Sequence, residues 1–389
     1  MFFVEIDKKK SRWRVQKNGL SQGSVLSPLL FNIYTNDQPT FKNIRRFIYA
    51  DDLCLATQSK SFKVIEERLT GALEELSDYY KSWFMNANPG KTQVCSFHLN
   101  NHEASRPLNI TWEGETIEST DYPVYLGVTL DRTLSFRQHV LKLKKKLSTR
   151  NNLLDLLANS SWGADPDTLR ITAMAVCYST AEYCAAVWAR SAHAPKVNPE
   201  LHRAFRTITG TLKATPLPAL HRLSGIPPPD VRREVISKQE RDRQTSDPRH
   251  PLHDHVPAPR RLVSRRSFMT VDGLQGSSSE TFQLRRWQDN DVSNNDALPE
   301  ISVSLPSGKD LPRREWACLN RARAKVAKTA DNLMRWGIQP SAECPCGEEI
   351  ETLRHLQYEC PLGPRVTDHD LKVANNAARD WLQRYSDKL

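Results

Sequence analysis

Long apolar runs are missing from this chain: no stretch reaches the roughly 18–20 residues that a membrane-spanning helix needs. The opening "MFFVEIDKKK" is too short in apolar residues for a signal peptide, and its lysines follow the apolar piece instead of preceding it. Cysteine is scarce, eight in 389 residues and mostly isolated in apolar runs, which argues against a disulfide framework. These absences point to a reducing, intracellular setting, nucleus or cytoplasm, with neither secretion nor a membrane involved. Acidic residues are in deficit too, 45 against 55 lysines and arginines, for a formal net charge of +10. That sign favours a polyanionic partner such as nucleic acid. Only 39% of residues are hydrophobic, so several modules with some poorly ordered sequence are expected. No internal repeat is present.

What is there begins as a mixed α/β pattern. "FFVEI" and "RWRVQ" flank a turn over 7–11 and predict a hairpin. "SVLSPLLFNIYTND" predicts a helix with Leu26, Leu29, Leu30 and Ile33 on one face and Pro28 in its first turn. Phe47–Tyr49 and Leu53–Ala56 read as two strands joined tightly at a pair of aspartates. Over 64–84, Ile65, Leu69, Leu73, Leu76, Tyr80 and Trp83 recur at helical spacing, until "NPG" at 88–90 stops the pattern. "KTQVCSF", "LNITW", "ETIES" and "YPVYLGVTLD" then predict strands.

From 136 the pattern turns helical, and "LKLKKKLSTRNNLLDLL" opposes a leucine face to a lysine face. Asp165-Pro166 opens a long helix through Leu169, Ala173, Val176, Ala181, Cys184 and Trp188, with Cys177 and Cys184 as core residues. Residues 216–312 lose periodicity and read as a basic, Pro-rich linker, with ten Lys/Arg against five Asp/Glu between Arg232 and Arg266. A helix rich in arginine and lysine follows over 314–337, and the tail 368–385 reads as one amphipathic helix through Leu371, Ala374, Ala378, Leu382 and Tyr385. Trp13, Trp112, Trp162 and Trp287 could stack on bases, but core or edge packing is the plainer reading of each.

The aspartates are the first feature with chemistry. Asp51 and Asp52 sit together in "FIYADDLCLA", where neighbouring strand residues would face opposite ways. A turn lets both lean toward one point, and a divalent cation there offsets their repulsion. Two Mg²⁺ ions about 3.5–4 Å apart, held by carboxylates, stabilise the attacking and leaving oxygens of phosphoryl transfer. A bare Asp-Asp pair is usually a solvated turn, so the neighbours decide. Upstream stands "GLSQGSVLSPLLFNIYTND", a Gln-Gly-Ser turn running into a helix; downstream, "NANPGKTQV" puts Lys91 on a loop before a strand.

In this order the three segments resemble the palm of a reverse transcriptase, specifically that of non-LTR (LINE-type), jockey-like retrotransposons. "SQGSVLSPLLFNIY" is similar to the template- and nucleotide-contacting motif, "YADD" to the metal-binding motif, "NPGKT" to the lysine motif, and "YPVYLGVTLDRTLSF" to the segment leading through the primer grip into the thumb. The resemblance implies that Asp51 coordinates Mg²⁺ (or Mn²⁺) with Asp52 as the weaker partner. Tyr49 and Ala50 would lie under the primer's 3′ end, and Gln22 and Gly23 would touch template or nascent base pair. Lys91 would be a candidate acid for departing pyrophosphate, and Tyr125, Leu126 and Gly127 would support the primer. Ser21 departs from the usual proline. The family's other aspartate belongs to a motif ahead of the Gln-Gly turn, and Asp7 fills that role poorly because no intervening helix fits. The sequence therefore reads as the C-terminal part of a retrotransposon polyprotein.

The second feature is Cys344-x-Cys346-x8-His355-x4-Cys360. Three thiolates and an imidazole complete a tetrahedral Zn²⁺ set with no position open to water, which marks a structural site. Gly347 permits the wrapping turn, and Leu353 and Leu356 would give the His-bearing helix an apolar side. The segment also resembles the C-terminal CCHC knuckle of the same polymerases.

The expected fold class is α+β: a partial polymerase palm with an antiparallel sheet and packed helices over 1–135, and a helical thumb over 136–215. A mostly irregular linker over 216–312, a basic helix with a zinc knuckle over 313–365 and a C-terminal helix over 366–389 would follow. The function implied is RNA-directed DNA polymerase, acting on an RNA template, a DNA primer or target and deoxynucleotides. A catalytically dead, nucleic-acid-binding remnant is the alternative.

Overall fold

In the computed structural model, which describes residues 3–15, 19–98, 100–104, 106–159, 163–260, 266–270 and 277–386, the chain divides into two units. The first comprises Met1–Pro123 and Asp131–Leu134. Its opening hairpin pairs β1 (Glu5–Ile6) with β2 (Lys9–Lys10) around left-handed Asp7 and Lys8. Helix α1 (Ser27–Tyr34) starts with Pro28 in its first turn, as expected. Its apolar face is not covered: Leu26, Leu29, Leu30 and Ile33 are all exposed.

Strands β3 (Ile44–Tyr49) and β4 (Asp52–Thr57) form the longest ladder, antiparallel from Ile44↔Thr57 to Tyr49↔Asp52. Helix α2 (Phe62–Ser82) buries Leu73 and Leu76 on Ile110, Trp112 and Ile117, with Leu53, Leu55 and Leu69 at the margin. Trp112 is core, its indole donating to Ser77 Oγ at 2.6 Å. Then come β5 (Gln93–Val94), α3 (Asn101–Ala104), β6 (Thr111–Trp112), β7 (Glu115–Thr116) and β8 (Glu118–Ser119). Every sheet among the described residues is two-stranded. The expected palm sheet is thus represented by one hairpin, in an α+β fold of short sheets and many helices.

The second unit comprises Val124–Leu130 and Ser135–Leu389. "YPVYLGVTLD" is a hairpin here and not one strand, because Leu126 and Gly127 are left-handed (φ 45° and 77°) between β9 (Val124–Tyr125) and β10 (Val128–Thr129). Helix α4 (Arg137–Leu157) buries Val140, Leu143, Leu147 and Leu154. The expected long helix is α5 (Pro166–Ala173), a π turn over Met174–Tyr178, α6 (Ser179–Glu182) and α7 (Ala185–Trp188), broken at left-handed Cys184. Cys177 is buried, as expected, and Cys184 is half-buried.

The segment 216–312 differs from the expected linker. After α8 (Asn198–Thr209) it carries α9 (Leu217–Ser224), α10 (Pro229–Ser246) and α11 (Ser279–Asn290). Leu220, Leu223, Val231, Val235, Phe282 and Trp287 are buried. Its cations are largely spent internally: Arg222 pairs with Asp291, Arg232 with Glu182, Arg233 with Asp230, Lys238 with Asp242 and Arg286 with Glu234. Trp162 and linker residues 261–265 and 271–276 lie outside the described residues.

The basic helix of 314–337 is two helices, α12 (Arg313–Arg323) and α13 (Ala330–Arg335), parted at left-handed Lys325. Arg313, Arg321 and Arg323 face protein, while Arg314 and Arg335 are exposed. An α-helix leaves its last carbonyls without intrahelical partners, and α12 supplies donors to those of α8: Arg313 to Thr207 and Ile208, Asn320 to Thr209, and Arg321 to Gly210. Buried Arg323 caps the carbonyls of Leu371, Lys372 and Ser307. The tail likewise splits at left-handed Ala374 into α14 (Asp368–Val373) and α15 (Asn376–Tyr385), yet Leu371, Ala374, Ala378, Leu382 and Tyr385 are all buried. No helix among the described residues is long and apolar enough to cross a membrane.

Candidate functional site

Pairing of Tyr49 with Asp52 leaves Ala50 and Asp51 as the whole β3–β4 turn. Ala50 adopts φ 51°, a conformation that costs a non-glycine residue about 1–2 kcal/mol; such strain collects at functional sites. Tyr49, Ala50, Asp51 and Asp52 all stand exposed on this turn. The tight turn brings the two carboxylates to one hairpin tip, and among the described residues no third metal-binding side chain joins them.

Gln22 and Gly23 lie on a separate exposed turn ahead of α1. Gly23 has φ 85°, so the turn itself asks for glycine. Ser27 Oγ donates to the Ser21 carbonyl at 2.6 Å and ties that turn to the helix start. Lys91 ends a third feature, the 3₁₀ turn Pro89–Lys91, whose backbone N–H is accepted by Asn88 Oδ1 at 3.1 Å. Tyr125, Leu126 and Gly127 occupy the β9–β10 hairpin of the second unit. Tyr183, which nothing in the sequence singled out, donates from its hydroxyl to the Leu126 carbonyl at 2.9 Å. A Cβ on Gly127 would sit 3.3 Å from the Tyr183 ring.

On α4 the side opposite the buried leucines presents Lys142, Lys144, Lys145 and Lys146, all exposed. Their field reaches inward: burial first, then Lys146 and Lys142, lowers the pKa of His139 on the same helix.

Sequence spacing and local backbone together build the Cys/His cluster. Gly347 turns left-handed (φ 79°), its N–H meets the Cys344 carbonyl at 2.9 Å, and the Cys344 N–H meets the Glu349 carbonyl at 2.9 Å. His355–Glu359 is a π turn in which the Cys360 N–H reaches the His355 carbonyl at 2.8 Å. One such wide turn sets side chains five residues apart on one side, which is what His-x4-Cys requires. The four ligand atoms all lie within 4.8 Å of one another, with Cys344 Sγ and Cys360 Sγ at 3.9 Å and Cys346 Sγ and His355 Nε2 at 3.3 Å. Tetrahedral zinc with its usual bond lengths calls for about 3.8 Å between sulfurs and about 3.5 Å between sulfur and nitrogen. The residues fit that ion.

Glu349, missed from sequence, stands 3.4 Å from His355 Nδ1, the kind of carboxylate that fixes the tautomer of a metal-binding histidine. Burial pushes the Cys344 thiol up to about 12, while the Glu348 backbone N–H holds Cys346 down at about 7. Cys344, His355 and Cys360 are buried in the core of the second unit, with Leu356 beside them and Leu353 half-buried.

Residues 1–130 match the family model described as reverse transcriptase (RNA-dependent DNA polymerase). Over that third of its length the chain is similar to the reverse transcriptase family. The "RNA-directed DNA polymerase from mobile element jockey" of Drosophila melanogaster is 29% identical over 169 residues, 41% of this chain and 18% of that polymerase. The same fly's "Probable RNA-directed DNA polymerase from transposon BS" is 30% identical over 167 residues, 41% of this chain and 18% of its own length. A "Retrovirus-related Pol polyprotein from type-1 retrotransposable element R1" of Bradysia coprophila is 24% identical over 379 residues, 90% of this chain and 35% of the polyprotein. The chain thus spans about a fifth of the length of the first two relatives. No solved structure matches it.

Proposed function

We propose that this chain supplies the metal-binding hairpin, the thumb and a zinc-stapled C-terminal region of an RNA-directed DNA polymerase. The observation that carries the reading is the Tyr49–Asp52 turn, two carboxylates at a strained hairpin tip inside the matched segment. Asp51 would hold Mg²⁺ or Mn²⁺ with Asp52 as the weaker ligand. The ion would supply charge stabilisation for attack of a primer 3′-hydroxyl on a deoxynucleotide. Tyr49 and Ala50 would support the primer end, Gln22 and Gly23 the template and incoming base, and Tyr125, Leu126 and Gly127 the primer strand. Lys91 would donate a proton to leaving pyrophosphate. A two-metal site also calls for a further carboxylate beside Asp51.

Cys344, Cys346, His355 and Cys360 would hold Zn²⁺ as a closed structural site. The α4 lysines favour contact with nucleic acid, and a purely nucleic-acid-binding role is the second reading they support. Measuring RNA–DNA hybrid binding and Mn²⁺ binding on the same protein tests the proposal. Hybrid binding that weakens steeply with salt, together with Mn²⁺ binding lost in Asp51→Asn, is expected. Hybrid binding with Mn²⁺ uptake unchanged in Asp51→Asn would leave only the second reading, and no hybrid binding would remove both.

A further inference from the structure

The last turn and a half of α15 grips the Cys/His loop from one side. Trp381, Arg384 and Tyr385 share a helix face by their three- and four-residue spacing. Trp381 is fully buried and donates from Nε1 to the Leu356 carbonyl, inside the π turn, at 2.8 Å. Arg384 donates from Nε to the Leu362 carbonyl at 2.9 Å, just past the last ligand. The chain lies flat on Tyr385 at Gly363, where a Cβ would come within 2.4 Å of the hydroxyl and 2.6 Å of the ring. Tyr385 is 3% exposed, and its hydroxyl has no hydrogen-bond partner of ordinary geometry. Cys360 lies three residues before Gly363 and shares one buried cluster with Tyr385, which puts its sulfur on the side of that hydroxyl. A buried, unpartnered donor beside a thiol is an unfavourable arrangement that a thiolate would relieve.

We propose that Tyr385 is a positioning residue of the metal site, its hydroxyl donating to Cys360 once that sulfur is a metal-bound thiolate, so that metal loading and docking of α15 are one event. The inference rests on the zinc reading given above. Phenylalanine at 385 keeps the ring against Gly363 and removes only the donor.

The test uses the whole chain. Zinc affinity is measured by competition with a chromogenic chelator, and cobalt is substituted to read the sulfur-to-metal charge-transfer band. Tyr385→Phe is expected to bind zinc about 10–100-fold more weakly and to shift the band, with unchanged far-ultraviolet dichroism of the loaded protein. Amide exchange over 376–385 should be slow with zinc and fast after chelation, while exchange in α2 stays the same. Affinity within about twofold of wild type with an unshifted band, while Cys346→Ser has lost zinc, would overturn the inference and leave the zinc site standing. So would exchange in α15 that ignores chelation. A wild-type chain that takes up no zinc would overturn both.

Discussion

Replacing Gly210 by alanine tests whether the arginine-rich helix α12 is a structural seam. Gly210 closes α8 at φ 69°, and a Cβ there would stand 2.4 Å from Ala317 Cβ and 2.9 Å from Ala317 Cα. Left-handed alanine costs about 1–2 kcal/mol, and forcing the two helices apart adds about 1–3 kcal/mol. Gly210→Ala should therefore destabilise the second unit by about 2–5 kcal/mol. Ala317→Gly alone should cost about 1 kcal/mol as a helix glycine. In the double variant the 2.4 Å contact is gone and only the 2.9 Å approach to the Cα of residue 317 remains, so the two changes should fall short of additivity by up to about 3 kcal/mol. Urea unfolding followed by the fluorescence of buried Trp188, Trp316 and Trp381 reads this unit. A Gly210→Ala protein within about 0.5 kcal/mol of wild type, or strict additivity, would refute the reasoning.

Acid should weaken the same unit through His221, whose pKa burial, then the charge of His202, takes from 6.5 to about 3. The unfolded chain binds the extra proton, so this contribution is whole above pH 6.5 and shrinks as pH falls toward 3, by about 2 kcal/mol at pH 5. His221→Gln should flatten the difference between unfolding at pH 7 and pH 5, and an unchanged difference would remove His221 as its source. Exchanging Lys142, Lys144, Lys145 and Lys146 for glutamine should reduce the log–log salt slope of single-strand binding by about 3; an unaltered slope would put the nucleic-acid face elsewhere. Chelation of zinc should lower the thermal midpoint of the second unit and leave that of the first unchanged, and calorimetry with and without chelator decides it.

The local shapes of the two candidate sites were legible because each is a short segment with fixed spacing. "YADD" became a two-residue turn, and Cys-x-Cys-x8-His-x4-Cys became four atoms within 4.8 Å. The helix of 64–84 and the buried positions of the tail were readable from periodicity alone. Left-handed turns at Leu126, Cys184, Lys325 and Ala374 were not, since none of the four is a glycine and each cuts an otherwise continuous pattern. Over 216–312, buried ion pairs such as Arg222–Asp291 put charge where an apolar residue would announce a core. Tyr183 escaped for a simpler reason. It bonds to Leu126 across 57 residues, and one sequence holds no record of such a pair.

Paramagnetic broadening by Mn²⁺ tests the central claim most directly, because it locates the ion without requiring turnover. Titrating Mn²⁺ into the isotopically labelled chain should broaden amide signals of residues 49–53 first, and Asp51→Asn should abolish that broadening while leaving the hairpin folded. Broadening that spares this turn, or that persists unchanged in Asp51→Asn, would contradict the assignment of the Asp51–Asp52 hairpin as a polymerase metal site.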